Sequence, residues 1–302
     1  LRVPVGVLQA FGAVRRFRPN VVLATGGYVS VPPVLAAALL RVPVLTHEQT
    51  VTVGLANRIA GRFARRIALT FEGALDDLPG PLRARAFVAG NPVREAIFDG
   101  DRERAARRFG FAPEDDALPC LYVTGGAQGS QLLNRAVAGA AERLCGRARI
   151  LHQCGSGGAD ESRAAWEAAS ARTRRRWRVL PFVESEAIGD AWALCDLLVS
   201  RSGAGTVTEA CAVGRPALFV PLEPTGGDEQ TRNARRSVEA GAARILRQGE
   251  CGPERLADAV GALLDDPALR ARMAQAALSL ARPDAARALA DALADLASGK
   301  AP

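Results

Sequence analysis

An apolar run that begins at Leu197 stops abruptly at Arg201-Ser202-Gly203-Ala204-Gly205-Thr206, and a helix-like pattern follows. A turn of this kind presents backbone N–H groups at a helix N-terminus, where they attract an anion and the helix dipole assists. Ser202, Gly203 and Gly205 let the chain approach a phosphate without side-chain obstruction. Thr206 and Glu209 also have the Thr-x-x-Glu spacing of a capping box. Glu209 therefore has two readings, a helix cap or a ligand contact. Further on, Glu229, Gln230 and Asn233 form a polar cluster between an apolar strand and a helix. Amide and carboxylate groups there suit a hydroxyl-rich ligand, because each hydroxyl both donates and accepts. A solvated loop is the alternative. His47 and Glu48 sit where a buried strand leaves the core, a place that fits general-base work or a hydrogen-bonded structural histidine.

These residues need elements to hold them. Val7, Leu8, Phe11 and Val14 recur at helical intervals, and NVVLATGG is a short β-branched run closed by Gly26 and Gly27. VPPVLAAALLRVP reads as a helix that starts near Pro32–Pro33 and stops before Pro43. VPVLTHEQ and RIALTFEGA are strands around the helix VGLANRIAGRFARR, and RAFVAGNPVREAI is a strand, a turn and a helix start. From Asp99 to Pro119 the composition turns charged and loop-like. Then CLYVTGGAQGSQLLNRAVAGAAERL restarts the design of strand, Gly-rich turn and helix, and DLLVSRSGAGTVTEACAVG repeats it. RARILHQCG, RWRVLPFV and RPALFVPL are further strands, and a helical tail runs from Pro253 with breaks at Pro267 and Pro283. Short apolar strands alternating with helices predict an α/β protein with parallel sheets and right-handed crossovers. The similar turns at Gly26–Gly27, Gly125–Gly126 and Gly203–Gly205 lie in two separate stretches, which predicts two Rossmann-like domains joined near Asn91–Arg94. In such sheets ligands bind beyond the carboxyl ends of the strands, and two facing domains would make a cleft.

The chain has 302 residues, 48% of them hydrophobic, and a net charge of +7. Its pI is about 9.7 and its mean hydropathy +0.04. The charge is compatible with nucleic acid or an anionic membrane. However, Lys300 is the only lysine and arginine is spread throughout, which reads as a bias of composition. Helicase, zinc-finger and RNP patterns are absent, so no nucleic-acid partner is expected. TGGAQG lacks the G-x-G-x-x-G spacing and no acidic residue closes the next strand, which disfavours a dinucleotide enzyme. Cys120, Cys145, Cys154, Cys195, Cys211 and Cys251 make no C-x-x-C pair and read as buried, reduced cysteines. Two histidines without ligand spacing argue against zinc. No apolar run reaches the roughly 20 residues of a membrane helix. The chain enters a helical pattern directly at Leu1, and we expect its natural N-terminus to lie further upstream.

Eight blocks stand in a fixed order: ATGGYVSVPPVLAA, THEQTVTVGLANRIAGRFA, AGNPVREAI, VTGGAQGSQLLNRAV, LHQCG, PFVES, SRSGAGTVTEACAVGRPALFVPL and DEQTRNARRSVEAGAARIL. In this order they resemble the MurG transferases, bacterial enzymes that add N-acetylglucosamine to lipid I to make lipid II of peptidoglycan. The resemblance runs from Pro19 to Leu246. It implies a GT-B fold, with an acceptor domain over residues 1–93, incomplete at its N-terminus, onto which residues 284–302 pack back. Residues 94–283 would form the domain for UDP-N-acetylglucosamine. Arg201, Ser202, Ala204, Gly205 and Thr206 would face the diphosphate and Glu209 the ribose hydroxyls. Arg94 would stand near the nucleotide, Phe182 and Val183 would flank the uracil, and Glu229 and Gln230 would hold sugar hydroxyls. Asn134 and Asn233 match motif positions, as do the diphosphate turn Gly125, Gly126, Ala127, Gln128 and Gly129. On the acceptor side Gly26, Gly27, Tyr28, His47, Glu48, Thr50 and Asn57 match.

Three departures stand out. Thr50 replaces an Asn of the family's His-Glu-Gln-Asn, and Ala127 replaces a Ser. The family's first Gly-rich loop, with its Thr and His, would precede Leu1, and by analogy roughly 70 residues lie before it. The implied reaction is attack of the muramoyl 4-hydroxyl on the anomeric carbon, with inversion and loss of UDP. Glu48 is the leading candidate base and His47 the next. Helix N-termini rather than a metal would stabilise the departing diphosphate, and no cofactor is expected. The implied partners are UDP-N-acetylglucosamine, lipid I, an anionic membrane surface and other cell-wall synthesis proteins. The implied place is the cytoplasmic face of the bacterial plasma membrane, held there peripherally. The segment of Val7, Leu8, Phe11, Val14 and Phe17 with Arg15, Arg16 and Arg18 reads as interfacial or as packed on the sheet.

Overall fold

The computed structural model of the chain describes residues 2–223 and 228–300. These form two compact units, Leu1–Pro92 with Arg282–Pro302, and Val93–Ala281.

In the first unit β1 (Val22–Ala24), β2 (Val44–Glu48), β3 (Arg66–Leu69) and β4 (Ala86–Val88) lie parallel in the order β1-β2-β3-β4. Parallel neighbours need long crossovers, and the helices Val31–Leu39 and Leu55–Phe63 serve here. Pro32 and Pro33 fall in the first turn of the former, where a missing N–H costs no hydrogen bond. Alternation along the strands serves two faces. Val44, Ile67 and Leu69 meet Val34, Ala37 and Ala60 of the crossover helices. Leu45 and Ala68 meet Leu289, Ala292 and Leu296 of the C-terminal helix Ala285–Ala297.

In the second unit six parallel strands are ordered β10-β9-β8-β5-β6-β7. They are β5 (Cys120–Thr124), β6 (Arg149–Gln153), β7 (Trp177–Leu180), β8 (Leu197–Ser200), β9 (Ala217–Phe219) and β10 (Ala243–Ile245). Leu121, Val123, Leu197 and Val199 pack under the helices Gln131–Leu144 and Pro253–Leu264. Tyr122, Leu198 and Phe219 pack on the opposite face with Trp192, Val207 and Ala234. Burial on both faces explains why these strands read as apolar runs without alternation. The chain leaves β5 for β6 and β7 on one side and returns to β8, β9 and β10 on the other. This reversal between β5 and β8 is the switch point of a doubly wound sheet, and ligands favour the crevice beyond it.

The charged stretch Asp99–Pro119 differs from its loop-like expectation. It contains the helix Arg102–Arg108, started by Asp101, whose carboxylate accepts from Arg104 N at 2.6 Å. Ala105 and Ala106 bury one face of it. Arg104 and Arg108 reach the buried carboxylate of Asp190 at 2.6 and 3.2 Å. The basic run before β7 is likewise directed inward, since buried Asp115 takes both Arg175 and Arg176. These four arginines therefore have carboxylate partners within the unit.

Candidate functional site

Thr124 pairs with both Gln153 and Ser200, so β5, β6 and β8 end flush and their turns leave at one level. After β5 the chain turns through Gly126 at φ 82° and Gly129 at φ 77°, conformations that favour glycine. A Cβ on Gly125 would collide with the backbone of Gly129 and Ser130, which explains the close-packed glycine pair. Ser130 then caps the helix Gln131–Leu144. After β8 the helix Ala204–Ala212 starts at Gly203, and no side chain caps it. Thr206 is the third residue of that helix and Glu209 the sixth, so the pair is not a capping box. A Cβ on Gly203 or Gly205 would meet nothing within 4 Å. The first-turn N–H groups therefore stand at an open face, as anion binding requires.

These turns rim a cavity of about 230 Å³ inside the second unit. Arg94, Gly126, Ala127, Phe182, Val183, Gly205, Thr206 and Glu209 line it, which brings together eight of the residues singled out in the sequence. Arg94 Nε and Nη2 donate to Glu209 Oε1 at 3.2 and 2.9 Å. Phe182 is exposed, while Val183 is buried in one apolar cluster with Ile188 and Trp192, which also line the cavity. Sequence reasoning missed Tyr122, Thr124, Gln153, Ile188 and Trp192. For Gln153 the signal was there, a polar residue ending an apolar strand. Ile188 and Trp192 come from the helix Ile188–Leu194 and carried no signal beyond apolar content.

Behind the turn, Gln230 and Asn233 brace it. Gln230 Oε1 accepts from Ser202 N at 3.3 Å and Leu222 N at 3.0 Å, and Ser202 Oγ donates to Gln230 O at 2.8 Å. Asn233 Nδ2 donates to Ser202 O at 3.1 Å. Arg201 reaches Ser130 Oγ and the carbonyls of Val220 and Pro221 at 3.0–3.1 Å, so it ties the two turns rather than entering the cavity. Glu229 begins its helix on the surface, and Gln128 is exposed on its loop. Asn134 is buried beneath the loops, donating to Cys154 O at 2.9 Å and accepting from His152 Nε2 at 3.0 Å. Burial pushes the His152 pKa down to about 4. The unfolded chain, near 6.5, then binds the proton first, so stability falls as pH drops below 6.5. Between pH 6.5 and 5 the second unit is expected to lose about 2 kcal/mol. Urea midpoints at pH 7 and 5 check this, and in His152→Gln the slope should shrink to what the other buried histidine, His47, contributes.

In the first unit the expected acceptor residues meet at the carboxyl ends of β1 and β2. Gly26, at φ 91°, leaves room for the Asn57 amide, which a Cβ would strike. Asn57 accepts from Thr46 Oγ1 at 2.8 Å and donates to Glu48 Oε2 at 2.9 Å. Glu48 Oε2 also accepts from Gly54 N at 2.8 Å, and Oε1 accepts from Thr50 N at 3.1 Å. Thr50 Oγ1 lies 2.9 Å from Glu48 Oε1 and 2.8 Å from Thr52 O. His47 Nε2 donates to Gly90 O at 2.9 Å. Burial lowers the His47 pKa, against the Gly90 carbonyl and Glu48, which favour the proton. Both residues are nearly inaccessible, at 1% and 5%. The geometry is that of a clamp on the Thr50–Gly54 loop. Gly27 begins a short turn that leaves Tyr28, 81% exposed, and Val29 on the surface.

Residues 120–289 match the model of the glycosyltransferase family 28 C-terminal domain, and residues 1–69 that of the family's N-terminal domain. The chain is 41% identical over 286 residues to the UDP-N-acetylglucosamine--N-acetylmuramyl-(pentapeptide) pyrophosphoryl-undecaprenol N-acetylglucosamine transferase of Alkalilimnicola ehrlichii. That match covers 93% of this chain and 75% of the relative. To the enzyme of the same name from Xanthomonas campestris pv. campestris it is 40% identical over 298 residues, 96% of this chain. It spans only 65% of that relative's length. The crystal structure of Acinetobacter baumannii MurG superposes with a TM-score of 0.75 at 30% identity, covering 97% of this chain and 80% of that one.

Proposed function

The chain belongs to glycosyltransferase family 28, and on that premise we propose that it moves N-acetylglucosamine from UDP-N-acetylglucosamine to the muramoyl 4-hydroxyl of lipid I. Its two parallel-sheet units are of the GT-B class. The observation that carries the reading is the cavity at the β5/β8 switch point, whose lining joins an uncapped helix N-terminus, an aromatic ring and a carboxylate, the groups that a nucleoside diphosphate calls for. The uncapped N-terminus of Ala204–Ala212 takes the diphosphate. Phe182 and Val183 take the uracil, and Glu209, oriented by Arg94, takes a ribose hydroxyl. As the glycosidic bond to UDP breaks, negative charge grows on the diphosphate. Fixed N–H dipoles aimed there stabilise the transition state more than the ground state. Gln230 and Asn233 serve by holding Ser202, and with it the turn.

The acceptor hydroxyl attacks from the face opposite UDP, its proton passing to water as the new bond forms and the bond to UDP breaks, so configuration inverts. On the acceptor unit, Glu48 and His47 act by fixing the Thr50–Gly54 loop and the end of β2. The test is direct. Incubated with UDP-N-acetylglucosamine and a soluble lipid I analogue, the chain is expected to release UDP and form the disaccharide, with UDP-galactose at least tenfold poorer. Calorimetric binding of UDP without transfer would favour a non-catalytic UDP-sugar binder, and absence of UDP binding would overturn the proposal.

A lipid-linked acceptor calls for contact with a membrane. Among the described residues no helix is long and apolar enough to cross one. The helix Arg2–Phe17 lays Ala10, Ala13 and Val14 along an apolar hollow of about 670 Å³ shared with Pro19, Val21, Val22 and Pro33. Leu8 and Phe17 stay 74% and 82% exposed, next to Arg15, Arg16 and Arg18. Two exposed apolar side chains, on opposite sides of the helix and with cations beside Phe17, suit the anionic cytoplasmic leaflet. Leu8→Ser with Phe17→Ser is expected to weaken binding to phosphatidylglycerol vesicles by about tenfold, from some 1–2 kcal/mol of lost apolar contact. Flotation measures it, and equal flotation of the variant would remove this surface from the proposal.

A further inference from the structure

We propose that Gln153 is a positioning residue that locks the nucleobase end of the cavity to its diphosphate end. The inference rests on the nucleotide reading of that cavity. Gln153 ends β6 and is buried. Its one amide joins three segments. Oε1 accepts from Tyr122 Oη on β5 and from Val183 N beyond β7, both at 3.2 Å. Nε2 donates to Gly126 O at 3.1 Å.

Gly126 has a left-handed backbone. Its N donates to Thr124 Oγ1 at 3.0 Å, and its O accepts from Gln153 Nε2 and from Gly129 N, both at 3.1 Å. Without Gln153 this carbonyl is held from within its own turn alone, and a glycine backbone yields more readily than one restricted by a Cβ. Val183 belongs to a stretch outside any strand or helix, so its N–H has no ladder to join. Only a side chain that accepts two hydrogen bonds and donates one at the same moment satisfies all three partners, and at this length glutamine does so. A carboxylate accepts but cannot donate to Gly126 O. A hydrocarbon does neither and leaves buried donors unpaired.

This chemistry makes a specific test. Gln153→Glu keeps the shape. When ionised, it sets a negative charge against the Gly126 carbonyl and near the diphosphate. When protonated, its O–H donates to Gly126 O while the other oxygen accepts, which restores the glutamine pattern. A carboxyl enclosed in this way takes its proton at a higher pH than a free one. The titratable groups around it are Tyr122 on β5, Arg94 and Glu209 across the cavity, and His152 and Cys154 beside it. Wild type measured in parallel removes their contribution.

Calorimetry with UDP is expected to give a Kd about tenfold above wild type for Gln153→Glu at pH 8, narrowing to about twofold at pH 6. Gln153→Met is expected to be about tenfold weaker at both pH values. A Gln153→Glu Kd within twofold of wild type at pH 8 would overturn the proposal. So would a loss that does not recover on acidification, which marks a general structural role. If wild type itself binds no UDP, the nucleotide reading fails, and that outcome is distinct from both.

Discussion

Glu48→Ala is expected to lower kcat/KM for the acceptor by up to about a thousandfold while leaving the Kd for UDP within twofold. The carboxylate has four lone-pair sites, and donors of its own chain stand at each. They are Thr50 N, Gly54 N, Asn57 Nδ2 and the hydroxyl of Thr50. Removing the acceptor leaves three N–H donors unmet, of which that of Asn57 is buried, that of Thr50 half-buried and that of Gly54 on an exposed residue. At roughly 1–3 kcal/mol for each buried unsatisfied donor, with water repairing some, the loss is about 4 kcal/mol. A loop released to avoid that cost must be ordered again when the acceptor reacts, which sets a ceiling of about three powers of ten on the loss in rate. The loss falls on the acceptor because the clamped loop belongs to the first unit and the cavity lining to the second. Glu48→Gln separates clamp from base. As a base, Glu48 would leave its Gln variant folded, with acceptor KM intact and the acidic limb of the pH profile gone. As a clamp, it leaves a Gln variant with an NH₂ facing N–H donors, so acceptor KM rises and the pH profile keeps its shape. Hydrogen exchange at Thr50–Gly54 should rise in either variant. A protected loop with abolished turnover would return Glu48 to the role of base.

The sequence was legible where one rule governed a segment. The strands of both sheets showed as apolar runs because both of their faces are covered, and the glycine turns showed because Gly126 and Gly129 adopt backbones that other residues avoid. The stretch Asp99–Pro119 was opaque for the opposite reason. The helix Arg102–Arg108 depends on Asp190, almost ninety residues later, and no local pattern announces such a partner. The same holds at the sites. Glu209 and Arg94 were found by motif, yet their ion pair across 115 residues was not. His47 and Glu48 showed their chemical type and not their commitments, which come from Gly90, Gly54 and Asn57. Trp192 carried only its apolar type, and it is core, packed edge-on against Tyr122 with ring centroids 5.5 Å apart, while also walling the cavity.

The counterpart on the donor side is Glu209→Ala, expected to raise the Kd for UDP about a hundredfold. Both Arg94 bonds fall on Oε1, which leaves Oε2 as the oxygen for the ribose hydroxyl of the proposed nucleotide. A hydrogen bond to a carboxylate is worth roughly 1.5–3 kcal/mol when partly enclosed, and two adjacent hydroxyls can share one carboxylate. About 2.7 kcal/mol is a hundredfold in affinity. The fold should tolerate the change. Glu209 sits in the sixth position of its helix and caps nothing, and Arg94 is half-exposed, so their ion pair contributes on the order of 0–1 kcal/mol. Removing Arg94 instead leaves the carboxylate in place but free to turn, so Arg94→Ala should weaken UDP by about tenfold only. Deoxy analogues refine the assignment. UDP lacking the ribose hydroxyls should bind wild type as weakly as UDP binds the variant, and the variant should not distinguish the two. If the variant still discriminates between them, the ribose hydroxyls find their partner elsewhere in the cavity, and Glu209 serves only to hold Arg94.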